Sequence, residues 1–341
     1  VNIVLIIPTG VGAEIGGHAG DGNPVAKLMA STCDNLITHP NVVNASDINE
    51  MTENTLYVEG SMLDRFLEGD IQLKKVYRNK ILLVVNEVTT DVINSVSAAR
   101  ATIGADIDIL KLNVPLEMKG EIHSKFGAIG SVTGHENLIV QLNSLQKHYE
   151  FDALAISTPI KVAKDVVTFY LENGGPNPWG GIEARVSKFI AEAIDKPVAH
   201  SPMDDKDSEV YKVLSNLEKP VEPRMSAELV SVSYLHCILK GLHKAPRSVP
   251  VGTVGLSRND VDFLISPVGI WGRPHKACYE AGIPIIMVKE NTTCMYENPP
   301  ADVLRLESYL EVAGYIQAIK SGVSLESIRR PLRKTNIING G

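Results

Sequence analysis

Titratable and hydroxyl side chains recur directly after the apolar, strand-like runs of this chain, and this is where its chemistry is best sought. The run Val1–Ile7 is followed by Thr9 and Gly10, a second by Thr38-His39-Pro40-Asn41, a third by Glu59-Gly60-Ser61 and a fourth by Asn86-Glu87. Later runs lead into Ser157-Thr158-Pro159, His200-Ser201-Pro202, Ser266-Pro267 and Lys289-Glu290-Asn291-Thr292. In open parallel sheets, ligands sit outside the carboxyl ends of the strands, so these positions converge on one region if the runs share a sheet. An imidazole titrates near neutrality and can serve as acid, base or ligand, and His39 and His200 occupy the same relative place. Glu87 and Glu290 are candidate acids or bases beside them, as is Glu59, although a carboxylate there can equally be a charge favoured by a helix start. Ser, Thr, Asn and Pro are ordinary turn residues, so the charged and imidazole members carry the argument.

The densest signal is the loop after the first run, Pro8-Thr-Gly-Val-Gly-Ala-Glu-Ile-Gly-Gly-His-Ala-Gly-Asp-Gly-Asn-Pro24. A strand, a glycine-rich turn and a helix starting at Asn23-Pro24 gather backbone N–H groups and a positive helix end, which suits an anion. Gly10, Gly12, Gly16 and Gly17, with Thr9 and Asn41, are the expected cradle; His18 and Asp21 add acid–base capacity. The spacing is not a dinucleotide fingerprint, because the third glycine comes one residue late at Gly16, and no Lys-Ser or Lys-Thr makes it a P-loop. A flexible surface loop that needs positive φ values is the plain alternative.

Other groups are weaker. His18, Asp21, His39 and His200 could be written as a metal set, but no H-x-x-x-H or H-E-x-x-H spacing supports one, and none is expected. Arg273 and His275, at the start of a helix after Gly272, suggest a second anion position, or a plain βαβ crossover. Trp271 beside Gly272 is expected to be exposed unless covered. Cys33 and Cys294 would suggest cofactor-independent racemisation if they flanked one cleft, although free cysteines are usually small buried residues. Glu183 in Gly-Gly-Ile-Glu-Ala reads as a first-turn capping charge, and His236 and His243 as helix packing.

The elements that must hold these residues alternate between strand and helix. Strands are expected at 1–7, 35–38, 55–58, 81–85, 107–112, 153–157, 197–200, 261–266 and 283–288, several of them continuous aliphatic runs of the kind covered on both faces. Helices are expected at 23–33, 91–103, 137–149, 182–194, 227–242 and 274–281. This is an α/β, Rossmann-like chain with mostly parallel sheet and helices on both faces. Its 341 residues fill one large domain or two similar ones, 1–150 and 151–341. Two irregular stretches, Glu172–Gly181 and the charged run from Ser201 to Arg224, read as lids, hinges or connectors. With 44% hydrophobic and 21% charged residues and a net charge of −7 with no basic block, a globular protein that avoids nucleic acid is expected. No apolar run reaches membrane-helix length and the first segment lacks a basic leader, so no membrane partner is expected. Four separated cysteines without a C-x-x-C pair fit a reducing, cytoplasmic compartment. The apolar helix Ala227–Leu242 could pack against a copy of the chain.

The stretch IIPTGVGAEIGGHAGDGNPVAKLMA, with CDNLITHPNVVNAS and LYVEGSMLDRF after it, resembles a family of uncharacterised proteins from cyanobacteria, other bacteria and photosynthetic eukaryotes. Its hallmark is I-P-T-G-x-G-A-x-I-G-G-x-A-G-D. The resemblance implies a domain of unknown function and carries over no catalytic residue. Gly16-Gly17-His18 and Glu280-Ala-Gly-Ile-Pro are similar to passages of two-domain glycosyltransferases of the lipid-linked peptidoglycan type, but Pro24 lies several residues too far from the histidine. The sequence therefore points to an enzyme that holds a small anionic metabolite, phosphate- or carboxylate-bearing, at the glycine loop and strand ends. His18, Asp21, His39, Glu87, His200 and Glu290 are its acid–base candidates, with Ser157, Thr158, Arg273 and His275 lining the ligand. A sensor with the same cradle and no chemistry, sugar transfer of the glycosyltransferase kind, and a cofactor-independent racemase or isomerase using Cys33 and Cys294 are the alternatives, and no cofactor is identified.

Overall fold

The computed structural model describes residues 1–18, 20–43, 51–201 and 234–338. Most of the charged run after Ser201, and the start of the expected helix 227–242, lie outside them.

Two parallel sheets dominate. The larger has the order β15-β14-β13-β1-β2-β3, built from β1 (Asn2–Leu5), β2 (Asn35–Thr38), β3 (Thr55–Tyr57), β13 (Phe263–Pro267), β14 (Ile285–Val288) and β15 (Leu304–Leu306). Strands from near both chain ends thus meet in one sheet, with Ile3 paired to Leu36 on one side and to Phe263 on the other. The chain runs outward from β1 in one direction and from β13 in the other, so the winding reverses between them. The smaller sheet has the order β11-β9-β5-β6, from β5 (Lys80–Val85), β6 (Asp106–Lys111), β9 (Ala153–Ser157) and β11 (Val198–Ser201), and its reversal falls between β5 and β9. Residue 150, the boundary expected from sequence, lies between strands that share this sheet, for β5 and β9 are hydrogen-bonded neighbours.

Aliphatic runs become central strands because both their faces are covered. Ile3, Leu5 and Ile7 face one core with Met29 and Ile316, whereas Val4 and Ile6 face another with Met62, Phe66 and Cys278. In the smaller sheet Ile81, Leu83 and Val85 join the first of these cores, and Leu82 and Val84 join a third with Ile182, Val186 and Ile190. The first core therefore spans both sheets.

Helix Tyr234–His243 lies in that shared core, where Leu235, Ile238, Leu239 and Leu242 are buried. The face expected to meet a second copy is thus spent inside the chain, because two sheets rather than one need covering. Several short elements have no counterpart in the sequence reading. They are β4 (Ile71–Lys74) paired with β12 (Arg247–Pro250), the hairpin of β7 (Glu117–His123) and β8 (Gly127–Thr133), and β10 (Ile160–Val162) beside β7. Helices Gly60–Glu68, Lys164–Asn173 and Tyr309–Lys320 complete the layers.

Gly241 packs against the ring of Tyr57, whose Cε2 lies 2.5 Å from where a Cβ would stand. Alanine raises helix propensity by about 1 kcal/mol, while overpacking a rigid core costs about 1–3 kcal/mol. Gly241→Ala is therefore expected to lower stability by up to about 2 kcal/mol in urea denaturation; a variant stabilised by about 1 kcal/mol, the full propensity gain, contradicts this seating of the helix between the sheets.

Candidate functional site

The glycine loop is held from three sides. Asp21 Oδ2 accepts from the Gly16 N–H at 2.9 Å, and Asn41 Nδ2 donates to the carbonyls of Ile7 (2.9 Å) and Gly16 (3.1 Å). The segment after β14 closes over the loop: Glu14 N donates to Thr292 O, Ile15 N to Asn291 Oδ1, and Cys294 N to Val11 O, each at 2.9 Å. The buried Asn291 also donates to Ile15 O and to the Tyr309 hydroxyl. The amides of Glu14, Ile15 and Gly16 are thus spent within the protein, and Asp21 and Asn41 act as its clamps.

The third side is the turn between β7 and β8 together with the start of helix Gly180–Ile194. Gly10 O accepts from Ala128 N at 2.9 Å, and a Cβ on Gly127 would stand 2.2 Å from that carbonyl. A Cβ on Gly180 would stand 2.0 Å from Thr9 Oγ1, and one on Gly181 2.1 Å from Ala128 O. Only glycine permits such approach, so Thr9 and Gly10 sit against the first turn of helix Gly180–Ile194. Gly12 lies beside Pro176 and Gly17 beside the Ala13 carbonyl. His18 is buried, with Nδ1 2.5 Å from the hydroxyl of Tyr170, whose ring lies edge-on to Trp179 at 5.8 Å between centroids. Trp179, in the stretch 172–181 that reads as irregular from sequence, is buried and begins this helix.

The same helix turn reaches the smaller sheet. His200, buried in β11, has Nε2 3.0 Å from Thr158 Oγ1 and Nδ1 3.6 Å from Glu183 Oε1. The second distance is within ion-pair range but beyond a hydrogen bond, and among the described residues Nδ1 has no hydrogen-bond partner. Ser157 Oγ and Ser201 Oγ are likewise buried and, among the described residues, unpartnered, on residues that face each other in register across β9 and β11. A buried polar group without a partner costs about 1–3 kcal/mol. Ser157 and Thr158 stand on the β9 side of the smaller sheet's reversal, with Asn86 and Glu87 on the β5 side. Asn86 bonds both backbone groups of Leu116, and Glu87 is exposed.

The remaining candidates do other work. His39 is buried with Nε2 accepting from the Ile7 N–H at 3.0 Å, and burial pushes its pKa down from 6.5 to about 4. It supports the backbone just before the loop as a neutral acceptor. His275 accepts from the Gly272 N–H through Nδ1 and meets Ser266 Oγ at 2.9 Å through Nε2; burial lowers it to about 4 as well. Arg273, expected to hold an anion, is instead held by carboxylates: both Glu68 oxygens at 2.5 and 2.7 Å and Glu192 at 3.3 Å. Glu290 Oε1 accepts from the Tyr309 N–H at 2.8 Å at the start of helix Tyr309–Lys320, and Glu59 caps helix Gly60–Glu68 through Ser61 and Met62. Trp271 is half-buried between His275 and Tyr279.

Cys33 donates to Met29 O near the amino end of β1, and burial pushes its thiol up to about 12. Cys294 bonds the loop at the carboxyl end of the same strand, so the two thiols flank no common cleft. Among the described residues no three His, Cys, Asp or Glu side chains gather as a metal-binding group, and no helix is long and apolar enough to cross a membrane. A surface pocket at Val1, Arg258, Val261 and Ile283 lies at the amino ends of the larger sheet's strands, opposite the groups above.

Sequence pattern draws attention to His200, Ser157 and Thr158 and places Ser201 beside them at a strand end, but it takes Glu183 for a cap and leaves out Tyr170. Gly180-Gly181 before Glu183 was the available signal, since paired glycines at a helix start permit a close backbone approach.

His39 and His275 each bind a proton near pH 6.5 when unfolded and only near pH 4 when folded. The unfolded state binds more protons between these values, so stability falls as pH drops from 6.5 to 4. Each histidine contributes a slope of about 1.4 kcal/mol per pH unit. His39→Gln, which keeps an acceptor for Ile7, is expected to reduce the slope of unfolding free energy against pH by that amount; an unchanged slope contradicts its buried neutral state.

Over 350 aligned residues the chain is 31% identical to an uncharacterized lipoprotein of Synechococcus sp., a match that covers 98% of this chain and 95% of that protein. Residues 2–329 match the family described as "Protein of unknown function (DUF3326)". With that extent of agreement the chain belongs to the DUF3326 family.

Proposed function

We propose that this protein is an enzyme acting on a small anionic metabolite, held where the strand ends of the two sheets meet at the Trp179–Glu183 turn, with His200 as its acid–base group. The observation that carries this reading is His200 itself, buried between the Thr158 hydroxyl at 3.0 Å and the Glu183 carboxylate at 3.6 Å. His39 and His275 accept backbone N–H groups, an arrangement that needs a fixed neutral ring. His200 instead faces a hydroxyl and a carboxylate, with no backbone N–H on either ring nitrogen among its contacts to the described residues. With the proton on Nδ1, directed to Glu183, the Nε2 lone pair faces Thr158 and can accept a proton from that hydroxyl or from a ligand group that takes its place.

The glycine loop serves chiefly as architecture in this reading. Its remaining contribution to the ligand is Thr9 and Gly10 against Gly180, beside the helix turn that carries Glu183.

The free state of all four cysteines supports a cytoplasmic location, while the name of the Synechococcus relative supports a membrane-anchored form. Separation of cells into cytosolic and membrane fractions distinguishes the two.

A panel of phosphate esters, nucleotides, nucleotide sugars and organic acids, scanned by thermal shift and then by product formation, tests the assignment. The ligand that stabilises the wild-type protein is expected to stabilise His200→Gln to a similar degree, while turnover falls by about 100-fold or more. A variant with wild-type turnover refutes acid–base chemistry at His200, and loss of binding without any turnover in the wild type supports a sensor instead.

A further inference from the structure

Ser157 and Ser201 stand on adjacent strands as direct register partners, one at the end of β9 and one at the end of β11. Neighbouring strands lie about 4.8 Å apart, and partners in a parallel pair point to the same face. That face is given by Ala155 and Ala199, two residues earlier on each strand, which lie in the core shared by both sheets; His200 points to the other face. The residues are 6% and 0% exposed, and neither hydroxyl oxygen has a hydrogen-bond partner among the described residues. Serine at one such place is accommodated in many proteins by bonding a backbone carbonyl. Two in register, both without that bond, leave two aligned hydroxyls with unfilled capacity, and such groups call for a partner beyond the described residues.

Their position favours a ligand as that partner. Both lie at carboxyl ends of parallel strands, and Ser157 pairs on its other side with Val85 of β5, across the reversal of winding where ligands of doubly wound sheets bind. His200 precedes Ser201 directly, so a group held by the two hydroxyls lies at the same strand ends as the imidazole. Two hydroxyls some 5 Å apart can both donate to one acceptor oxygen or to two oxygens of one group, which matches a phosphate or a carboxylate.

We propose that Ser157 and Ser201 form the subsite for the anionic group of the metabolite. The inference rests on the location of the site given above, but not on the protonation chemistry of His200.

The test uses the full chain with inorganic phosphate and with acetate as separate probes, followed by titration calorimetry. The wild type is expected to bind at least one probe saturably, and the one that binds identifies the anionic group. Ser157→Ala/Ser201→Ala is expected to weaken that binding at least tenfold while its melting temperature without ligand stays level or rises, because an unsatisfied buried hydroxyl is removed. Ser201→Cys, close in size but a poor donor, is expected to weaken binding in the same direction and serves if the double variant folds badly. Absence of saturable binding of both probes to the wild type overturns the proposal, as does wild-type affinity in the double variant. His200→Gln separates this result from the preceding reading: it should retain the probe affinity that the serine variants lose, even if it also retains turnover and thereby refutes the role given to His200.

Discussion

Two stretches of backbone can touch only where no side chain intervenes, and the architecture of this protein depends on one such contact. The Thr9-Gly10 turn after β1 meets the hairpin at Gly127-Ala128 and the helix start at Gly180-Gly181, with glycine at the tightest points. A methyl group at Gly180 would occupy the space of Thr9 Oγ1. The contact fixes where the larger sheet ends against the smaller unit, and the helix it seats carries Glu183 to His200. The core common to both sheets, with helix Tyr234–His243 in it, holds the arrangement from behind.

Within that arrangement histidine is used in distinct ways. His39 and His275 take backbone N–H bonds, a role that burial favours because it keeps the ring neutral. His18 is tied to Tyr170 and so links the glycine loop to helix Lys164–Asn173. His200 has a hydroxyl on one nitrogen and a nearby carboxylate on the other. The same residue type after two strands thus has two different environments, and the difference comes from what packs around each ring.

The fold was largely legible in the sequence, because strands covered on both faces leave long aliphatic runs such as Ile3–Ile7 and Ile81–Val85. The hairpin 117–133 was not, since its polar and glycine-rich strands alternate weakly and are half exposed. Strand order was also hidden: nothing local in Phe263–Pro267 says that it pairs with β1, some two hundred and sixty residues earlier in the chain. At the candidate site, residue type pointed to His200, Ser157 and Thr158. It misplaced Arg273, whose carboxylate neighbours come from helices Gly60–Glu68 and Gly180–Ile194, and it read the loop glycines as an open cradle. Those glycines are closed by Asp21, Asn41 and the 291–294 segment, contacts that only the assembled fold reveals.

A ligand at the strand ends of the smaller sheet is the claim on which the functional account stands. Crystals of the full chain soaked in phosphate, nucleotides and common organic acids test it most directly. The account predicts difference density within hydrogen-bonding reach of Ser157, Ser201 or His200; density confined to the pocket at Val1 and Ile283, or to the outer surface of the glycine loop, would contradict it.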